Sequence, residues 1–156
     1  MAKTRKLSVL FLCSHNSARS QMAEALLRHY GGERFEVYSA GLEPSRVNPL
    51  TVRVIEEAGL STEGQYAKSL LDYFGGKHHF TYLITVCNSA EEKCPIFPFA
   101  THRLYWPFPD PSAAAGSDEE KAAAFREVRD QIAARVRGWI RELEAQNLLP
   151  STVSTH

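Results

Sequence analysis

Ser8-Val9-Leu10-Phe11-Leu12-Cys13-Ser14-His15-Asn16-Ser17-Ala18-Arg19-Ser20 decides the fold of this chain. It opens as an apolar run of strand formers, the pattern of a buried strand. Small polar residues follow, and then Gln21-Met22-Ala23-Glu24-Ala25-Leu26-Leu27, which reads as a helix. Cys13 thus stands where a strand ends, and Arg19 where a helix begins. The five residues between them have backbone N–H groups that can point inward. Closed by the positive end of a helix, such a loop binds a tetrahedral oxyanion. Arg19 adds a planar, two-pronged donor. The same field is expected to lower the pKa of Cys13, and no Asp or Glu occurs from Met1 through Ala23 to oppose it. A lone cysteine at a strand end is most often a core residue. The Cys-x5-Arg-Ser spacing across a strand-to-helix turn shifts the balance to function.

Outward from this stretch, strands and helices alternate. Helix signals cover Ser20 to Tyr30, Asn48 to Ala58, weakly Ser69 to Phe74, and Ser117 to about residue 147. Strand signals cover 35–39, 80–86 and 102–106. Ser117 with Glu120 forms a capping box, and Phe125, Val128, Ile132, Val136, Trp139, Ile140 and Leu143 recur at helical spacing. Alternation of this kind implies an α/β three-layer sandwich with a parallel sheet, whose ligands bind beyond the strand C-termini. That rule brings Cys13, Cys87 and Asp110 to one edge. The 156 residues suffice for a single domain, 1–147, with a tail from 148 to 156.

Eighteen basic and eighteen acidic residues balance, so neither nucleic acid nor a membrane surface is an expected partner. No apolar run reaches membrane-spanning length. The basic, then apolar N-terminus lacks a cleavage site, so a signal peptide is rejected and a cytoplasmic monomer is expected. Three cysteines in such a chain point to catalysis or redox chemistry.

Cys87 and Cys94 lie seven positions apart. Zinc binding would recruit two of His78, His79 and His102, but the spacing fits no common structural site, and no metal is expected. Two core cysteines are a second reading, opposed by the polar Glu91-Glu92-Lys93 before Cys94. A thiol relay is the third. It requires the Asn88–Pro95 segment to fold back or rearrange on oxidation. Asp110, between Pro109 and Pro111, is either a turn residue or a general acid held over the anion.

These residues resemble the low-molecular-weight protein tyrosine phosphatases. They are still more similar to the thioredoxin-coupled arsenate reductases that share that fold. Val9–Glu24 resembles the phosphate-binding loop, Tyr38-Ser39-Ala40-Gly41 the second strand and turn, and Trp106-Pro107-Phe108-Pro109-Asp110-Pro111 the aspartate loop. Val86-Cys87-Asn88-Ser89-Ala90 with Lys93-Cys94-Pro95 resembles the reductases' redox segment. The resemblance implies a flavodoxin-like sheet of order 2-1-3-4 and reduction of arsenate, with phosphate or sulfate as mimics. It implies Cys13 as nucleophile, Ser20 supporting its thiolate, Ser14, His15, Asn16, Ser17, Ala18 and Arg19 holding the oxyanion, and Asp110 as acid. Cys87 and then Cys94 carry the oxidation to thioredoxin, with no bound cofactor. A phosphatase acting through Cys13 alone, and a non-catalytic oxyanion or redox sensor, are the alternatives.

Three departures stand out. Ser112 follows Asp-Pro where many phosphatases carry tyrosine. Lys68 occupies the place of an acid that binds potassium in some reductases, so no potassium site is expected, although Asn16, Glu24 and Ser39 match its surroundings. His15 replaces a common glycine and is expected to adopt a φ that histidine tolerates.

Overall fold

The computed structural model describes residues 6–74, 78–93 and 97–150. Among these, four strands form one parallel sheet: β1 (Leu7–Cys13), β2 (Phe35–Gly41), β3 (Phe80–Thr85) and β4 (Ala100–Tyr105). Their order is β2-β1-β3-β4, as expected from the resemblance. The described α-helices are α1 (Arg19–Gly31), α2 (Pro49–Glu57), α3 (Asn88–Lys93) and α4 (Asp118–Ala145).

β1 lies in the centre because its apolar run does not alternate. Val9, Leu10, Phe11 and Leu12 are all fully buried, so both faces of the strand are covered. β1 pairs in parallel with β2 from Leu7–Phe35 to Cys13–Gly41, and with β3 from Val9–Tyr82 to Leu12–Thr85. Parallel pairing carries every strand C-terminus to the same edge. Cys13 ends β1 there, opposite Gly41.

One face of the sheet is packed by α1 and α4. Trp139 of α4 is the hub of this layer. Its ring lies 5.8 Å from Phe35, 5.0 Å from Tyr82 and 5.3 Å from Trp106, and Trp106 in turn lies 6.0 Å from Phe11. Truncating such a buried aromatic to alanine costs about 3–5 kcal/mol. On β2, Tyr38 points away from the Phe35 side. It meets Tyr73, His78 and Phe80 edge-on at 5.7, 5.6 and 5.4 Å. The second covering layer is therefore aromatic and thin, supplied partly by the short 3-10 turn Leu70–Tyr73.

The capping box at Ser117 is present in both directions, with Ser117 N–H donating to Glu120 at 2.8 Å and Glu120 N–H to Ser117 Oγ at 3.2 Å. Every apolar residue of the helical stripe from Phe125 to Leu143 is buried. The weak helix around Ser69 is a 3-10 turn instead, since five or six residues close too few α-helical bonds. The segment after Cys87 begins as α3, tied by Glu91 N–H to the Cys87 carbonyl at 3.2 Å. β4 starts at Ala100, two residues earlier than the sequence pattern marks, and releases Trp106 into the core.

Candidate active site

The loop from Cys13 to Ala18 is held by its carbonyls. Those of Cys13, Ser14 and His15 accept the N–H groups of Leu42 (3.2 Å), Glu43 (2.7 Å) and Ser45 (3.1 Å). The Asn16 carbonyl accepts Gln21 Nε2 at 3.0 Å. Those of Ser17 and Ala18 accept Asn48 N–H at 3.0 Å and Met22 N–H at 2.8 Å. A trans peptide points its N–H opposite to its C=O. Six consecutive carbonyls directed outward therefore turn the N–H groups of Ser14 to Arg19 inward, around one centre. The N-cap of α1, Ala18, makes no side-chain cap bond, and the first turn of α1 carries no acid. A negatively charged ligand suits these free donors and the helix dipole.

The bend that makes this possible sits at Asn16, whose φ is +54°. The sequence pointed to His15 as the residue needing a permissive φ; the structure places the left-handed residue one position later. Asparagine tolerates this conformation, and its side chain locks it. Asn16 Nδ2 donates to Ser20 Oγ (2.8 Å) and Ser39 Oγ (2.9 Å), while Oδ1 accepts Gln21 Nε2 (3.0 Å) and Lys68 N–H (2.8 Å). His15 is exposed at the rim and bonds the Glu43 carbonyl through Nδ1 at 3.0 Å.

Arg19 lies over the loop and reaches the aspartate segment. Its Nη1 donates to the Phe108 carbonyl at 3.1 Å, and Nη2 lies 3.8 Å from Asp110 Oδ2. The guanidinium is mostly buried and Asp110 is partly exposed.

Cys87 follows β3 and is buried, 2% exposed, beside Cys13 at 4%. The two buried thiols lie close enough to influence each other's ionisation, and Ser14 Oγ contacts the Cys87 sulfur at 3.6 Å. They titrate as a pair. Cys13 is raised, first by its neighbour Cys87 and then by burial, against the lowering effects of Arg19 and the Ser14 amide. Cys87 is lowered to about 5, chiefly by its neighbour Cys13, with Ala90 N–H, Ser14 and Arg19 helping against burial. This corrects the expectation that Cys13 itself is depressed. The field of Arg19 and the loop is present, but it stabilises one negative charge that belongs to the pair of sulfurs.

Ser20 is fully buried, and its Oγ accepts from Asn16. The loop's own hydrogen bond to the Cys13 sulfur is drawn from the Ser14 amide. Cys94 lies outside the described residues. Among the described residues no group of three or more His, Cys, Asp or Glu is assembled for a metal. His78 stacks on Phe80, His79 bonds Thr101 Oγ1 at 2.8 Å, and His102 stacks on Tyr82, so the three histidines serve elsewhere.

The sequence profile of the low molecular weight phosphotyrosine protein phosphatases matches residues 8–148. The chain belongs to this family. An arsenate reductase of Shouchella clausii is 39% identical over 132 residues, spanning 85% of this chain and 94% of that protein. A solved arsenate reductase in the phosphate-binding state superposes with a TM-score of 0.69 at 31% identity, over 87% of this chain and 98% of the other. A thioredoxin-dependent arsenate reductase of Corynebacterium glutamicum gives a TM-score of 0.69 at 27% identity, over 93% of this chain and 65% of the other.

Three side chains of this phosphatase-family site make contacts that the reading of motifs left out. Ser112 donates its N–H (3.0 Å) and Oγ (2.7 Å) to Asp110 Oδ1. Gln21 ties Asn16 to the Tyr66 carbonyl at 3.0 Å. Lys68 is buried beside Glu24. The Asp-Pro-Ser order is a turn signal that carried the first of these. The contacts of Gln21 with Tyr66 and of Lys68 with Glu24 join residues 45 and 44 positions apart, and no local pattern shows them.

Proposed function

We propose that this protein reduces arsenate to arsenite by a three-cysteine relay regenerated by thioredoxin. The observation that carries the reading is the burial of Cys87 beside Cys13 at the oxyanion loop, with Ser14 Oγ of that loop 3.6 Å from the Cys87 sulfur. A phosphatase needs only the Cys13 sulfur.

Arsenate enters the loop and is held by the N–H groups of Ser14 to Arg19 and by the Arg19 guanidinium. The negative charge of the thiol pair comes to Cys13, and its thiolate, which accepts the Ser14 N–H, attacks arsenic. Asp110 protonates the departing oxygen, which leaves as water. Cys87, once deprotonated, attacks the Cys13 sulfur. The S–As bond breaks with its electron pair going to arsenic, so As(V) becomes As(III), arsenite leaves, and Cys13–Cys87 is a disulfide. The Cys94 thiolate then attacks Cys87, releasing Cys13 and moving the disulfide to Cys87–Cys94. A thioredoxin dithiol reduces it by exchange. Thiols do not reduce phosphorus this way, so phosphate binds without turning over.

Arsenate-dependent NADPH oxidation with thioredoxin and thioredoxin reductase tests the activity. Cys94→Ser should give about one turnover per protein by this relay, trapped as Cys13–Cys87 on peptide mapping. Sustained turnover of Cys94→Ser with thioredoxin excludes the relay. The second reading, hydrolysis of phosphate esters, is favoured by Asp110 facing Arg19. Cys87→Ser separates the two, since it abolishes arsenate reduction and leaves ester hydrolysis in place.

A further inference from the structure

A buried lysine has no part in the chemistry above. Lys68 is 8% exposed, and Glu24 beside it is 4% exposed. The Lys68 ammonium lies 3.7 Å from Glu24 Oε1, donates to the Tyr66 carbonyl at 2.7 Å, and sits over the Tyr66 ring at 4.7 Å. Glu24 Oε1 also accepts the Ser39 hydroxyl at 2.5 Å, while Oε2 pairs with the half-exposed Arg28 at 2.7 Å. Ser39 Oγ in turn accepts Asn16 Nδ2, and the Lys68 N–H donates to Asn16 Oδ1. The Lys68 carbonyl accepts Gly41 N–H at 2.8 Å. Lys68 thus reaches the left-handed residue of the loop by two routes, one through its amide and one through its ammonium, Glu24 and Ser39.

Ionic groups in a low-dielectric site stay charged only when paired. Without the ammonium, Glu24 Oε1 would keep a neutral hydroxyl as its only partner. We propose that Lys68 is a positioning residue for the oxyanion loop, its ammonium being the resident buried cation on the Oε1 side of Glu24, opposite Arg28 on Oε2, and thereby holding Ser39 and Asn16 in place. The proposal rests on the reading of the loop as an oxyanion site and is independent of the cysteine relay. Burial lowers the Lys68 pKa and Glu24 opposes that shift, which agrees with mutual dependence of the pair.

Removing the ammonium leaves the Glu24 carboxylate, the Ser39 hydroxyl and the Tyr66 carbonyl around the vacated position. These are hard oxygen donors. A cavity of about 480 Å³ lined by Glu24, Arg28, Tyr66, Lys68 and Tyr73 leads to them from solvent. A small monovalent cation can therefore replace the ammonium in Lys68→Ala, whereas the wild-type site needs none.

The test is phosphate binding by calorimetry on the reduced full-length protein, in potassium chloride and in choline chloride at equal ionic strength. Thermal unfolding is recorded in the same buffers. Wild type should bind equally well in both salts. Lys68→Ala should bind about tenfold more weakly in choline, the effect of losing one charged contact, and recover most of that in potassium. Lys68→Met fills the space without charge, so it should show the loss without the recovery, and it serves where Lys68→Ala is unfolded. Wild-type phosphate affinity in Lys68→Met overturns the proposal, as does an equal loss for Lys68→Ala in both salts. Absence of phosphate binding by wild-type protein in either salt would instead remove the oxyanion reading, and the proposal with it.

Discussion

Ser112 holds Asp110 by one oxygen. Its N–H and hydroxyl both bond Oδ1, at 3.0 and 2.7 Å, while Oδ2 faces the Arg19 guanidinium at 3.8 Å. The carboxyl is thereby divided into an anchored oxygen and one turned towards the loop. Prolines on either side fix the local backbone, and Asp110 caps the short turn Pro111–Ala113. Ser112→Ala removes the hydroxyl and keeps the amide bond. A neutral hydrogen bond contributes about 0.5–1.5 kcal/mol, so kcat should fall roughly three- to tenfold. KM should be little changed, because the acid acts on the leaving oxygen. Asp110→Asn should lower kcat by about 10²–10⁴. Steady-state kinetics with an aryl phosphate measures both, and equal rates for Ser112→Ala and wild type would show that the anchor is dispensable.

The thiol pair makes a spectroscopic prediction. In a Cys94→Ala background, thiolate absorbance should rise in two well-separated steps. The first lies near 5, where Cys87 ionises beside Cys13. The second lies well above the ordinary thiol range, because Cys13 then loses its proton beside an existing charge. Cys87→Ala removes the largest cause that raises Cys13. Its single remaining thiol should titrate below the second step, and above the first because its partner sulfur is gone. A Cys87→Ala variant that retains the step near 5 would show that Arg19 and the loop alone set it.

The parallel sheet was legible in the sequence for a physical reason, whereas its order came from the resemblance. Strand and helix periods are local, and parallel order forces the residues after each strand to one edge. Cys13 and Cys87 lie together at that edge, and Asp110 reaches it through Arg19. The sharing of charge between Cys13 and Cys87 was not legible, because it depends on two sulfurs 74 positions apart in contact inside a protein of low polarity. Nor was the assignment of the left-handed turn to Asn16 rather than His15. That depends on which side chain finds four buried partners, and those partners come from α1, β2 and the Tyr66–Lys68 segment. The fate of Asn88–Pro95 on oxidation stays with the relay proposal, since only its helical part, α3, is described.

Asn16 separates conformation from bonding. Asn16→Gly permits φ +54° and deletes the side-chain bonds, while Asn16→Ala deletes them and strains the backbone as well. Ser20, Ser39, Gln21 and Lys68 each lose a partner in both. Each unsatisfied buried polar group costs about 1–3 kcal/mol. Both variants should therefore unfold at lower temperature, and Asn16→Ala should be the worse by about 1 kcal/mol, the cost of a non-glycine residue in the left-handed region. Calorimetric unfolding checks the order. Equal Tm values for the two would mean that the turn relaxes without the side chain.

Gly41 gives the sharpest steric test. It ends β2 opposite Cys13, and a Cβ placed there would stand 2.8 Å from the Ser14 carbonyl oxygen, 2.9 Å from Asn16 N and 2.9 Å from His15 C. All three are backbone atoms of the loop, so no side chain can swing aside. Gly41→Ala must push the loop inward or pull β2 away. Overpacking of this kind costs about 1–3 kcal/mol. Pushing the loop inward narrows the ring of N–H groups that surrounds the oxyanion. Pulling β2 away breaks the bonds from Leu42 and Glu43 that turn the loop's carbonyls outward. Either response misaims the donors, so phosphate affinity should fall at least tenfold while far-ultraviolet circular dichroism keeps its wild-type shape. A Gly41→Ala protein that binds phosphate as tightly as wild type would mean that the carbonyl anchors do not set the aim of the loop.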